Sequence, residues 1–137
     1  MNSANNSAYT KDTSPIQDAI SRQAVDQKLG CIEAISIAAE LNILPQTVGR
    51  TLDQMNYRIT HCQLGLFGHS PQKKIVIAEK NVPSELKASI EAAAKDGPLP
   101  CLAAWNIADD KQIPKTAVSN ACEGLGIKIS PCQLGAF

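Results

Sequence analysis

The chain has 137 residues, 44% hydrophobic and only 4% aromatic, and its thirteen basic side chains are balanced by thirteen acidic ones. That is enough for one ordinary domain or two very small ones, built on an aliphatic core of Ile, Leu, Val and Ala. It excludes a transmembrane helix, for which about 18 consecutive apolar residues are needed. It also excludes a chain that holds polyanions by bulk positive charge.

The first stretch, Met1 to Asp12, is polar and rich in Asn and Ser. It lacks the basic start and apolar middle of a signal peptide, so residues 1–13 are expected to be a disordered tail of a cytoplasmic protein. A Ser-Pro pair at Ser14-Pro15 with Gln17 behind it then opens a first helix, with Ile16, Ile20 and Ala24 on one face. Leu29-Gly30-Cys31 reads as a short extended piece. A second helix is expected from about Glu33 to Leu41, with Ala34, Ile37, Ala38 and Leu41 at helical spacing. A turn at Asn42-Ile43-Leu44 leads into a third helix, with Pro45 near its start and Val48, Leu52 and Met55 inside. It is expected to close at Asn56, a residue suited to left-handed backbone. Tyr57-Arg58-Ile59-Thr60 alternates as a half-buried strand does.

The same series then recurs seventy positions later without a gap. Cys31 falls on Cys101, Cys62-Gln63-Leu64-Gly65 on Cys132-Gln133-Leu134-Gly135, and Phe67 on Phe137. The core positions Ala34, Ile37, Ala38, Ile43, Val48 and Ile59 fall on Ala104, Ile107, Ala108, Ile113, Val118 and Ile129. A duplication is the economical explanation. The expected organisation is the tail, a first repeat over 14–68, a basic linker over 69–82 and a second repeat over 83–137. The fold class expected is mainly α (α+β), with three helices and a short β-wing in each repeat.

Charge divides along the same lines. The first repeat sets Arg22, Lys28, Arg50 and Arg58 against Asp18, Asp26, Glu33, Glu40 and Asp53. The linker sets Lys73, Lys74 and Lys80 against Glu79 alone, with Ile75-Val76-Ile77 reading as a short strand.

Within each repeat, a small residue in helix two is followed by a turn, an apolar residue and a β-branched residue in helix three. These are Ala38, Asn42-Ile43 and Val48, then Ala108, Gln112-Ile113 and Val118. With a helix before and a strand after, the order resembles the winged helix-turn-helix superfamily of bacterial transcription regulators, over most of both repeats. The Cys-Gln-Leu-Gly-x-Phe ending looks like that of small bacterial regulator-type proteins, some grouped with molybdate-responsive regulators. Two features depart from the pattern: Asn42 and Gln112 stand where the turn usually has Gly, and Leu44 and Pro114 where helix three usually has a Ser or Thr cap.

The resemblance implies DNA as partner and a reading face on helix three. In the first repeat that face is Gln46, Thr47, Arg50, Thr51 and Gln54, with Arg58, Lys73 and Lys74 as phosphate contacts. Gln suits adenine and Arg suits guanine or phosphate. In the second repeat the same positions are Thr116, Ala117, Asn120, Ala121 and Gly124, nearly bare, with Lys111, Lys115 and Lys128 nearby. A solvated helix face and a protein-interaction module that has lost DNA binding are the alternatives.

Four of the five Cys form two equivalent pairs, Cys31 with Cys62 and Cys101 with Cys132; Cys122 has no counterpart. Three readings stay open: small buried side chains, a reversible thiol switch, or a four-thiolate site for zinc or an iron–sulfur cluster made across the repeats. The usual C-x-x-C spacing is absent. His61 and His69 read as surface residues, Cys122 and Trp105 as core. No Gly-rich phosphate loop, paired catalytic carboxylates or repeated Cys/His couple marks an enzyme. Leu64 and Phe67 read as anchors of the wing, and the recurrence of the apolar motif at Phe137 leaves two partners open to that residue, the other repeat or a second copy in a homodimer.

Overall fold

The computed structural model describes residues 15–69, 74–95 and 97–136. The tail expected over 1–13, Lys73 and Phe137 lie outside them. The described chain is mainly helical, with a small parallel sheet of two strands. In the first repeat, α1 covers residues 15–23, β1 Lys28–Gly30, α2 Cys31–Leu41, α3 Pro45–Met55 and β2 Arg58–Thr60. In the second, α4 is Ser84–Ala93, α5 Cys101–Lys111 and α6 Lys115–Leu125. Among the described residues no helix is long and apolar enough to cross a membrane.

The boundaries follow from backbone chemistry. Helix two starts at Cys31, two residues before the expected Glu33, because extended Gly30 serves as its cap; Pro100 does the same for α5 at Cys101. α2 closes on Asn42 at φ 56° and α5 on Gln112 at φ 55°. The turn that usually carries Gly is thus left-handed here too, and Asn tolerates this better than Gln. α3 and α6 close on Asn56 and Gly126, both left-handed, as the sequence leads one to expect.

β1 and β2 pair in parallel, with Lys28 beside Arg58, Leu29 beside Ile59 and Gly30 beside Thr60. Leu99 and Ile129 form the matching bridge in the second repeat. Cys31 follows β1 directly and Cys101 lies two residues after the bridging Leu99, where its N–H donates to the Pro131 carbonyl at 3.1 Å, beside Cys132 in sequence.

From there the chain does not fold back on its own repeat. Cys62 and Leu64, with Leu66 and Phe67 behind them, pack into the core made by Leu86, Ile90, Leu99, Ala104, Ile107, Val118 and Cys122. Cys132 and Leu134 pack into the core made by Ile16, Ile20, Leu29, Ala34, Ile37, Val48 and Leu52. Each Cys-Gln-Leu-Gly segment completes the core of the other repeat. Leu64 and Phe67, expected to anchor the first wing, pack instead against the core of the second repeat. Trp105 touches both cores, as a core residue should.

The exchange leaves a mark on α3. A side-chain carbon at Gly49 would collide with the backbone oxygen of Leu134. The exchanged segment therefore lies flush on the helix, and only Gly fits there. Its counterpart Ser119 is buried, with its hydroxyl donating to the Lys115 carbonyl at 3.4 Å.

Candidate functional site

The helix-three faces of the two repeats have different surroundings. On α3, Gln46, Arg50 and Gln54 are exposed and Thr47 is half-buried. Thr51 was expected on this face, but it is only 2% exposed. It lies three residues after Val48, on the inward side of the helix, where its counterpart Ala121 is also buried. Its hydroxyl donates to the Thr47 carbonyl at 2.8 Å, which lets a polar side chain face the core.

Arg58 is exposed on β2 and lines a cleft with Gly49, Asp53 and Tyr57 of α3 and the following turn. Strand register sets exposed Lys28 next to it. Lys28 is a cation that sequence reasoning did not attach to this face. The link was hidden because it needs the parallel pairing of two segments thirty residues apart.

On α6 the corresponding face is covered by the linker. The Ile77 N–H donates to Asn120 Oδ1 at 2.9 Å, and the Glu79 N–H donates to the Asn120 carbonyl at 2.9 Å. A side-chain carbon at Gly124 would collide with the Glu79 carbonyl. Lys74 Nζ lies 3.3 Å from Glu123 Oε1, with both side chains about half exposed (48% and 46%). The expected strand at Ile75-Val76-Ile77 is instead an extended strap without a ladder partner among the described residues; its bonds go to Gly65 and Asn120. Lys115 does not reach outward, since its Nζ sits 4.6 Å over the Trp105 ring.

The four repeated cysteines come together where the two segments cross. Cys31 and Cys101 begin α2 and α5; Cys62 and Cys132 begin the exchanged segments. All are buried, at 4–6% exposure, and none is in a disulfide. Burial pushes the Cys31 thiol up to about 12, against a donor from the Gln63 backbone that lowers it, and the thiols of Cys62, Cys101 and Cys132 raise it further. Cys101 is also raised, by burial first and then by Cys132 and Cys62, against donors from Gln133. Buried thiols that hold their protons are poor nucleophiles, which disfavours the switch reading.

Three sulfurs already accept N–H groups: Cys31 from the Gln63 backbone, Cys101 from Gln133 Nε2 at 3.6 Å, and Cys132 from the Leu134 N–H at 3.4 Å. Among the described residues no group of three or more Cys, His, Asp or Glu side chains could hold a metal ion. An apolar cleft of about 230 Å³ opens beside Cys132, walled by Leu44 before α3, by Pro45 at its first position and by Pro100, Leu102 and Pro131. His61 is exposed, while half-buried His69 bonds the Cys62 carbonyl through Nε2 at 2.8 Å; the two rings meet edge-on at 5.6 Å. Cys122 is buried apart from the junction, as expected for a core residue.

Comparison with family models, with curated proteins and with solved structures finds no match for this chain.

Proposed function

We propose that the chain is a DNA-binding regulator in which the two repeats are helix-turn-helix units of winged-helix type and only the first reads DNA. The observation that carries this is the unequal treatment of two equivalent faces. The α6 face is occupied by the chain's own linker, tied down through Asn120 and Gly124, whereas among the described residues Gln46, Arg50 and Gln54 of the α3 face are exposed. The open face carries Gln46, Arg50 and Gln54, and Arg58 and Lys28 lie beside it. Those are side chains that suit base edges and phosphates. Repeat 2 serves as scaffold, supplying Cys132 and Leu134 to the core beneath α3. The balanced net charge counts against a long basic track, so the reading rests on the local cations Arg50, Arg58 and Lys28.

Fluorescence anisotropy with duplex DNA at low salt tests this. Arg50→Ala should weaken binding about tenfold, while Asn120→Ala on the covered face should leave it unchanged. No binding by the folded protein at low salt removes the proposal. It would favour instead a protein-interaction module, with exposed Leu44 and Leu102 at the cleft mouth as its first candidate contacts.

A further inference from the structure

We infer that the groove between α3 and the exchanged segment 134–136 binds an extended peptide that carries a basic residue followed by a β-branched apolar one, in the way α6 binds the chain's own strap. The protein contains the template for this complex. In the second repeat the strap runs along α6 and the exchanged segment 64–66. The Ile75 N–H donates to the Gly65 carbonyl at 2.8 Å, and the Ile75 side chain lies over Gly65, where a side-chain carbon would come 2.8 Å from Ile75 Cγ1. Lys74 Nζ reaches Glu123, and the N–H groups of Ile77 and Glu79 both end on Asn120. Alternate N–H groups of the strap thus face the repeat, as those of an extended guest do along a binding edge.

The first repeat offers the same places without the strap. Gly135 matches Gly65 in backbone, at φ 79° against 78°, yet Gly65 is buried and Gly135 exposed. Among the described residues nothing lies within 4 Å of where a side-chain carbon would stand at Gly135, and its carbonyl takes no hydrogen bond. Asp53 stands at the place of Glu123, exposed and without an ion pair among the described residues. Between Gly135 and Asp53 opens a cleft of about 390 Å³, with Tyr57 and Phe67 on its walls. Further along the helix, Gln46 and Arg50 are exposed where Thr116 and Asn120 are half-buried beside the strap.

These groups specify the guest. Asp53 takes a cation in the place of Lys74. Gly135 leaves room for a branched side chain in the place of Ile75, and its carbonyl takes that residue's N–H. Arg50 carries donors only, so it takes main-chain carbonyls of the guest where Asn120 takes N–H groups. The chain's own counterpart of the strap lacks these features: Ala4, Asn5 and Ser7 stand seventy residues before Lys74, Ile75 and Ile77. The guest therefore belongs to another protein. Seated there it covers Arg50, so guest and duplex exclude each other. That exclusion rests on the DNA reading; peptide binding does not, and its test uses no DNA.

The full isotope-labelled chain is titrated with the strap's own sequence as a free, end-blocked peptide, Lys-Ile-Val-Ile-Ala-Glu, and followed by NMR. The expected result is saturable shifts at Gly135, Asp53 and Tyr57 with Gly65 and Glu123 unmoved, since the tethered strap holds the α6 face at a far higher effective concentration. Asp53→Lys should weaken binding about fivefold, the upper range for an exposed ion pair, and a peptide with Glu in the first place should recover it. Asp109→Lys, the same charge change at an exposed position of α5, should alter nothing. A peptide with Asn in the second place should lose binding. No shifts at millimolar peptide, equal weakening by Asp53→Lys and Asp109→Lys, or shifts confined to Gly65 and Glu123 overturn the inference. Binding that strengthens when residues 2–12 are deleted gives the groove to the chain's own N-terminal segment, and a dimer that Asp53→Lys splits gives it to a second copy; either result overturns it too. If Asp53→Lys fails to fold, the wild-type chain with the three peptides still decides.

Discussion

Leu134→Ala removes an apolar side chain that belongs to the second repeat in sequence and to the first in space. Leu134 is 3% exposed and sits with Ile20, Ile37, Val48 and Leu52. Truncating a buried Leu costs about 3–5 kcal/mol, since the lost transfer energy is joined by a cavity that the surroundings only partly fill. The flush contact between the Leu134 backbone and Gly49 limits that collapse, because the exchanged segment has no room to move inward. A loss of about 3 kcal/mol lowers the melting temperature of a chain this size by roughly 10 °C. Hydrogen exchange by mass spectrometry locates the damage. Peptides from α1, α2 and α3 should lose protection before those of α4, α5 and α6. If protection is lost first around Ile90, Ile107 and Val118, Leu134 packs in its own repeat and the crosswise description is refuted.

Four further outcomes follow. Gly49→Ala should destabilise the protein by roughly 2 kcal/mol or more, because its side chain meets backbone rather than a movable side chain; a denaturation midpoint equal to wild type would contradict the close approach. Gln112→Gly should stabilise by about 0.5–1 kcal/mol in chemical denaturation, since Gln112 holds a left-handed backbone at φ 55°. Burial pushes the Cys122 thiol up from 9.0 to about 11, so its folded form favours the proton more than its unfolded form does. The resulting stability is complete below pH 9 and is lost as pH rises from 9 towards 11; Cys122→Ala should flatten that part of the stability–pH curve. Asn120→Ala removes the acceptor of the Ile77 N–H and should speed hydrogen exchange in the strap without changing the α3 face.

Much of the helical framework is legible in the sequence because its signals are local. Asn56 and Gly126 close their helices since left-handed backbone is inexpensive for those residues. The alternation of Leu29 and Ile59 places both strands, and the seventy-residue offset carries each assignment to the second repeat. The destination of the Cys-Gln-Leu-Gly segment is not local. Its apolar residues announce that Leu64 and Leu134 are buried, but periodicity does not say in which core. Two similar cores make the choice degenerate until the chain's path is known. One signal was present: Gly49 stands in the middle of α3, where Gly costs about 1 kcal/mol relative to Ala unless another backbone needs the space. The small Ser119 at its counterpart says the same of α6. Thr51 has the residue type of a reading face but not its position: three residues after Val48 it faces inward, and its hydroxyl is satisfied within the helix. The linker's role could not be read either, since Asn120 resembles any polar helix residue until Ile77 and Glu79 are found bonded to it.

The central functional claim is that one of two equivalent helix-three faces reads DNA, and the salt dependence of duplex binding tests it most directly. With Arg50, Arg58 and Lys28 as the cations of the open face, the slope of log K against log salt should be about −2 to −3. It should fall in magnitude by about 1 in Arg50→Ala and stay unchanged in Lys115→Ala, whose ammonium is held over Trp105. A slope near zero for wild type, or one lost equally in both variants, contradicts the account.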